Sequence, residues 1–162
     1  MSTLRTILRL SIVLLLTGFA APALAQDRPS YGPEITLDSA KKIAAAAMGE
    51  AKKNNWPAAV AIVDNHGFLT YYERMDDTQM ASPTIAIEKA RSAAMFRRST
   101  RVMEDTVNKG RTSFLGIPGA TPITGGLPIM SGGKVIGGIG VSGMASSDQD
   151  EVVAKAGLEA LK

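Results

Sequence analysis

The stretch that decides the fold is "GGIGVSG", Gly137 to Gly143. Gly138, Gly140 and Gly143 spell G-x-G-x-x-G, the spacing of a loop that cradles a dinucleotide pyrophosphate. That use requires a preceding strand, a helix opening inside the motif, a second parallel strand and an acidic residue about 20 positions further on for the ribose. Only the short segment to Lys162 remains, and it has room for one helix and no second strand. The dinucleotide reading is therefore excluded, and no nucleotide cofactor is expected. Glycines in a strand instead remove side chains where another backbone approaches closely.

Working outward, "GLPIM" (126–130 region) and "KVIGGIGVSG" (134–143) are joined by Ser131-Gly132-Gly133, which predicts a hairpin. Upstream, "AAVAIVD" (58–64) and "FLTYYER" (68–74) flank Asn65-His66-Gly67 and predict another. Ala40, Ile43, Ala44, Ala47, Met48 and Ala51 recur at the spacing of one helical face. Ser82-Pro83 signals a helix start with a capping hydroxyl, and "TIAIEKARSAAMF" continues it. A shorter helix is expected after Thr100, then a long ordered loop between Gly110 and Gly126, and a last helix capped by Ser147 with Asp148, Asp150 and Glu151 in its first turn. Two hairpins without crossover helices point to an α+β fold, an antiparallel sheet covered by helices.

The N-terminal 25 residues have the form of a cleaved signal peptide: Arg5 and Arg9, an apolar run from Leu10 to Ala20, and Ala23-Leu24-Ala25. The run is shorter than a spanning helix needs. A periplasmic or secreted protein with no membrane segment after cleavage is expected. Residues 26–35 carry two prolines and a glycine and read as an extended arm; residues 36–162 form a single domain. Two of the chain's 18 basic residues fall in the leader, so the rest of the chain carries 16 against 15 acidic ones, and its charge argues against a nucleic-acid partner. The absence of cysteine excludes disulfides, thiolate catalysis and cysteine metal sites.

His66 is the only histidine, which excludes a multi-histidine zinc site within the chain. Its bland role is a solvent-facing turn residue, and methionines such as Met75, Met80, Met130 and Met144 are ordinarily core filler. A haem iron nevertheless needs only one side-chain ligand, so His66 and Met75 stand as candidates for it. Asp76 and Asp77 are adjacent in a loop and receive no acid–base role. Lys89, Arg91, Arg97, Arg98, Arg101, Lys109 and Arg111 face only Glu104 and Asp105 in the same interval. Such a cluster is usually a solvated helix face; its functional form is an anion or carboxylate site, or a contact with another subunit.

Taken together, "AVAIVDNHGFLTYYERMD", "IAIEKARSAAMF", "ITGGLPIMSGGKVIGGIGVSG" and "DQDE" resemble the GlcG/HbpS-like family, which includes the C-terminal domain of PduO-type corrinoid adenosyltransferases. The resemblance implies a profilin-like, five-stranded antiparallel sheet flanked by helices in α/β/α layers, commonly assembled into homo-oligomers such as octamers. It also implies a small-molecule ligand, haem or a related tetrapyrrole, with haem-degrading or sensing and accessory roles among relatives. Its motifs fall on Arg74-Met75-Asp76, Lys89-Ala90, Gly125-Gly126 with Pro128, and Gly140 to Gly143. Arg74, Asp76, Lys89, Gly125, Gly126, Ser142 and Asp148 are thus the expected ligand-binding set, while Asp77 stands where many relatives have glycine. With so few histidines, a hydroxyl such as Thr100 or Thr112 is a further option for the iron. Two alternatives remain: an enzyme acting on a small carboxylate or carbonyl compound, with Lys89 or Arg74 as anion clamp and Asp148 or Glu151 as acid–base group, or a non-catalytic oligomeric accessory protein.

Overall fold

A computed structural model describes residues 28–162; the expected signal peptide, residues 1–25, lies outside them. Helix α1 spans Leu37–Lys53 and buries Ala40, Ile43, Ala44, Ala47, Met48 and Ala51, the face expected from the periodicity. Thr36 caps it by accepting a hydrogen bond from the Ser39 amide. Strands β1 (Ala59–Asp64) and β2 (Leu69–Arg74) follow, then α2 (Ser82–Phe96), α3 (Thr100–Asn108) and a short 3-10 turn over Thr112–Gly116. Strands β3 (Gly126–Ser131) and β4 (Lys134–Ser142) and helix α4 (Ser147–Glu159) complete the chain.

Two capping assignments differ from expectation. Ala81, not Ser82, occupies the N-cap of α2 and makes no side-chain bond; Ser82 is buried, its hydroxyl without a partner. At α4 the cap is Ser146 rather than Ser147, because its hydroxyl accepts from the Gln149 amide while the Gln149 side chain accepts from the Ser146 amide. That reciprocal pair satisfies two helix-end donors at once.

The sheet is antiparallel throughout, in the order β2-β1-β4-β3. It has four strands where five were expected. The N-terminal arm adds one parallel bridge, Tyr31 to Val135, in the row left open where β1 ends. The sheet is covered on both sides. On one side Val60, Ile62, Leu127, Ile129, Ile139 and Val141 pack against α1 and α4; on the other Ala59, Ala61 and Val63 meet Ala86, Ala90 and Ala94 of α2.

The second layer explains the glycines of the opening motif. A Cβ on Gly138 would strike the Ala90 carbonyl, one on Gly140 the Ala86 carbonyl, and one on Gly126 the Lys89 carbonyl. The backbone of α2 therefore lies directly on strands β3 and β4, with alanine on the helix and glycine on the sheet. Those glycines are the floor on which α2 rests.

Lys89 extends from α2 around the end of the sheet. Its Nζ donates to Asp150 Oδ2 of α4 at 2.7 Å and to the Val141 carbonyl at 3.0 Å, and the side chain is 1% exposed. Burial pushes the Asp150 carboxyl up from its usual value, and the Lys89 charge opposes that shift. Gly125, at φ +120, covers the pair: a Cβ there would lie 2.9 Å from Nζ and 2.8 Å from the Asp150 Cβ. The ion pair joins the helices on opposite sides of the sheet, at the point where β3 begins and β4 ends.

Gly140→Ala is expected to destabilise the fold by about 1–3 kcal/mol, the usual cost of overpacking, or to abolish folding. Gly49→Ala, at an exposed helical position with open space around it, is expected to stabilise by about 0.5–1 kcal/mol; urea unfolding of both checks this. Lys89→Met leaves Asp150 buried without a counter-charge and is expected to cost about 3–5 kcal/mol near neutral pH. A carboxyl whose folded pKa lies above its unfolded one binds more protons in the folded state, so stability falls as pH rises. The variant's deficit should therefore be smaller near pH 5 than near pH 7 in thermal unfolding.

Candidate functional site

The residues expected to share one ligand site are divided among three places. Lys89, Gly125 and Gly126 do meet, but in the buried ion pair, and the acidic partner there is Asp150 rather than Asp148. Helical spacing shows why: Asp150, Val153, Ala154 and Gly157 form the buried face of α4, whereas Asp148 points outward, its side chain 77% exposed, and binds Arg101. Glu151 takes Arg101 and Lys155. Although burial pushes its carboxyl up, these cations hold it below its usual value overall. Ser142 is buried at the end of β4, opposite Ala59.

Arg74, Met75 and Asp76 lie at the end of β2, beside an open cleft of about 340 Å³ lined also by Lys52 and Glu73. The pleat divides the triplet. Glu73 pairs with Val60 and lies on the α1 side, whereas Arg74 pairs with Ala59 and lies on the α2 side. Met75 packs against the α1-side core. Arg74 and Ser142 flank Ala59 across the sheet, but Lys89 is paired with Asp150 and Asp148 with Arg101, so Asp148 does not join the other three.

At the opposite end of the sheet several elements converge. The turn from β1 to β2 is held by Asp64 Oδ1, which accepts from the His66 and Phe68 amides. It leaves His66 exposed, with Nε2 3.5 Å from Glu34. His66 and Met75 are separated by the length of β2, roughly 20 Å of strand, and cannot serve the same iron. A different methionine is adjacent to this turn: a Cβ at Gly67 would lie 3.1 Å from Met95 Sδ. Nothing in the sequence marked Met95, because the hairpin turn meets the last turn of α2 only through tertiary packing.

Helix α2 ends there at Arg97, in the left-handed region with φ 54. Its guanidinium lies 5.1 Å from the centre of the Tyr31 ring and donates to the Pro29 carbonyl at 3.1 Å. The Tyr31 hydroxyl donates to the Met95 carbonyl at 2.7 Å, so the arm is strapped to the helix end. Burial and the charges of Arg28, Arg111 and Arg97 pull Arg98 below its usual value. The expected basic cluster is sorted by the fold. Lys89, Arg91 and Arg101 have carboxylate partners, whereas Arg28, Arg97, Arg98, Lys109 and Arg111 have none among the described residues. Beside the arginines, Phe114 stacks at a tilt on Phe96 with centroids 6.2 Å apart, and Leu115 is 60% exposed. Among the described residues no three His, Asp or Glu side chains are grouped as metal ligands.

Comparison with known proteins agrees with this architecture. Residues 35–159 match the family described as haem degrading protein HbpS-like. Protein GlcG of Escherichia coli strain K12 is 44% identical over 108 residues, 67% of this chain and 81% of that protein. The crystal structure of a double mutant of Streptomyces reticuli HbpS superposes with a TM-score of 0.76 at 33% identity, covering 88% of this chain and 98% of that one. A PduOC:haem complex superposes with a TM-score of 0.71 at 28% identity, covering 78% and 94%. Matching that family's model over residues 35–159, and 44% identical to a relative of which it covers 81%, the chain belongs to the HbpS-like family.

Proposed function

We propose that this protein binds haem or a related tetrapyrrole at the basic end of α2, as an exported homo-oligomer of the periplasm or extracellular space. The observation that carries the reading is the group of arginines, Arg28, Arg97 and Arg111 around Arg98, with no carboxylate partner among the described residues. Mutually repelling guanidiniums beside exposed apolar surface suit a ligand with two carboxylates on a flat apolar body. A solved relative described as a PduOC:haem complex, and the family's description, support the same ligand class. Degradation of the ligand, or a sensing or accessory role, is what such binding would serve.

The residues present fit the group. Arg97, Arg98 and Arg111 would hold its carboxylates, and Leu115 and the Phe114–Phe96 pair lie beside them. His66, an exposed imidazole, and Met95, its neighbour across the turn, are two side chains of this end able to ligate an iron. Bound haem would bring the iron's redox chemistry; the protein supplies charge, apolar surface and an axial donor.

Hemin titrated into the purified protein is expected to give a saturable Soret shift. Arg98→Ala and Arg111→Ala should each weaken binding about ten-fold, the worth of one charge-assisted hydrogen bond. Arg74→Ala, at the far end of β2, should leave affinity unchanged. His66→Ala is expected to change the Soret position if the imidazole is on the iron; an unchanged spectrum transfers that role to Met95, tested by Met95→Ala. Absence of any saturable shift would sink the reading.

A further inference from the structure

The two edges of the sheet are treated differently by the sequence. On β3, the Gly126 amide donates to Thr100 Oγ1 at 2.9 Å, and that hydroxyl donates to the Gly126 carbonyl at 3.3 Å. Two residues on, facing the same way, Pro128 has no N–H to offer, and the register shifts between Ile129 and Met130. A hydroxyl cap, a proline and a bulge are devices that prevent a further strand from adding.

Strand β2 carries none of these beyond its first residues. The Met75 amide donates to the Ala58 carbonyl at 2.9 Å, so Met75, Glu73 and Tyr71 turn their main-chain groups toward β1. Tyr72 and Arg74, alternating with them, turn theirs outward, where no partner exists among the described residues. The segment Leu69–Arg74 has no proline and no lysine, its pairing with β1 is regular from Tyr71 onward, and α2 lies over β1, β3 and β4 rather than over it. Unprotected edges of this kind pair with another strand.

The strand's own sequence selects the partner. Two copies related by a two-fold axis can centre on an outward-facing residue, Tyr72 or Arg74, as a hydrogen-bonded pair, or on an inward-facing one, Tyr71 or Glu73, as a non-hydrogen-bonded pair; centring on Glu73 would oppose two carboxylates, and centring on Tyr71 would set Glu73 opposite Leu69. Centring on Arg74 would oppose two guanidiniums. Centring on Tyr72 places Tyr72 beside Tyr72 of the second copy, Glu73 opposite Tyr71 and Arg74 opposite Thr70, with no like charges facing. Within one chain the Tyr71 hydroxyl already donates to Glu73 at 3.3 Å, and the same chemistry would repeat across the junction. Tyrosine also supplies rigid amphipathic contact area favoured at interfaces.

We propose that β2 pairs antiparallel with β2 of a second copy, centred on Tyr72, so that two four-stranded sheets become one. The inference rests on the assembly part of the proposed function and is independent of haem. Because the chain has no cysteine, single-cysteine variants report it directly. Without haem, the native mass should correspond to two or more copies, and Tyr72→Cys should form a disulfide-linked dimer under mild oxidation while Met130→Cys on the protected edge does not. Tyr72→Pro, which removes only an outward donor, should lower the native mass about two-fold. If that variant misfolds, the cysteine pair decides alone. A native mass of one copy overturns both the assembly and the edge; an oligomer in which Tyr72→Cys remains uncrosslinked overturns the edge and leaves the assembly standing.

Discussion

The structure depends on how closely α2 approaches the sheet. Its backbone rests on Gly126, Gly138 and Gly140, where any side chain would meet a helix carbonyl, and its own contact residues are alanines. A helix held this near gains little from large apolar side chains on that face; its gain comes from close packing of many small groups. The opposite layer is built conventionally, with Ile43, Met48, Ile62, Ile129 and Ile139 filling the space between sheet and α1. Because α2 lies so low, Lys89 can reach past the end of β4 to Asp150. A buried charge pair thus stands where two layers on opposite sides of the sheet must meet.

The same placement sets the chemistry of the surface. Fixing α2 against the sheet carries its last turn to the β1–β2 turn and the N-terminal arm. Arginines from α2, from the arm and from the loop after α3 therefore share one region with no carboxylate partner among the described residues. Three other members of the cluster are consumed: Lys89 by Asp150, Arg91 by Glu88, Arg101 by Asp148 and Glu151. Charge that the sequence displays as one cluster is, in three dimensions, a structural ion pair, a surface network and an unneutralised patch, and only the last can bind an anion without first breaking an ion pair.

Much of this was legible in the chain itself. Helical periodicity located α1, alternation and turn residues located both hairpins, and the lack of a second strand after Gly143 excluded a nucleotide loop. Capping was misplaced by one residue at both α2 and α4: serines 146 and 147 are alike in composition and differ only in geometry, and at α2 the cap falls on Ala81, which has no capping side chain, instead of the Ser82 that composition favoured. The two hairpins read from the residues supply the four strands present; the fifth was implied by the family resemblance alone, and the arm contributes only a single bridge.

Element order, the antiparallel sheet and the need for bare backbone on β4 follow from the chain alone, because periodicity and glycine act locally. Tertiary structure alone decided which charges pair. Asp150 rather than Asp148 meets Lys89 because the helical period turns residue 150 inward, and Met95 rather than Met75 neighbours His66 because β2 holds the latter two a strand apart. Ion pairing and ligand geometry depend on distances between segments far apart in the chain, and those distances exist only once α2 has settled on its glycines.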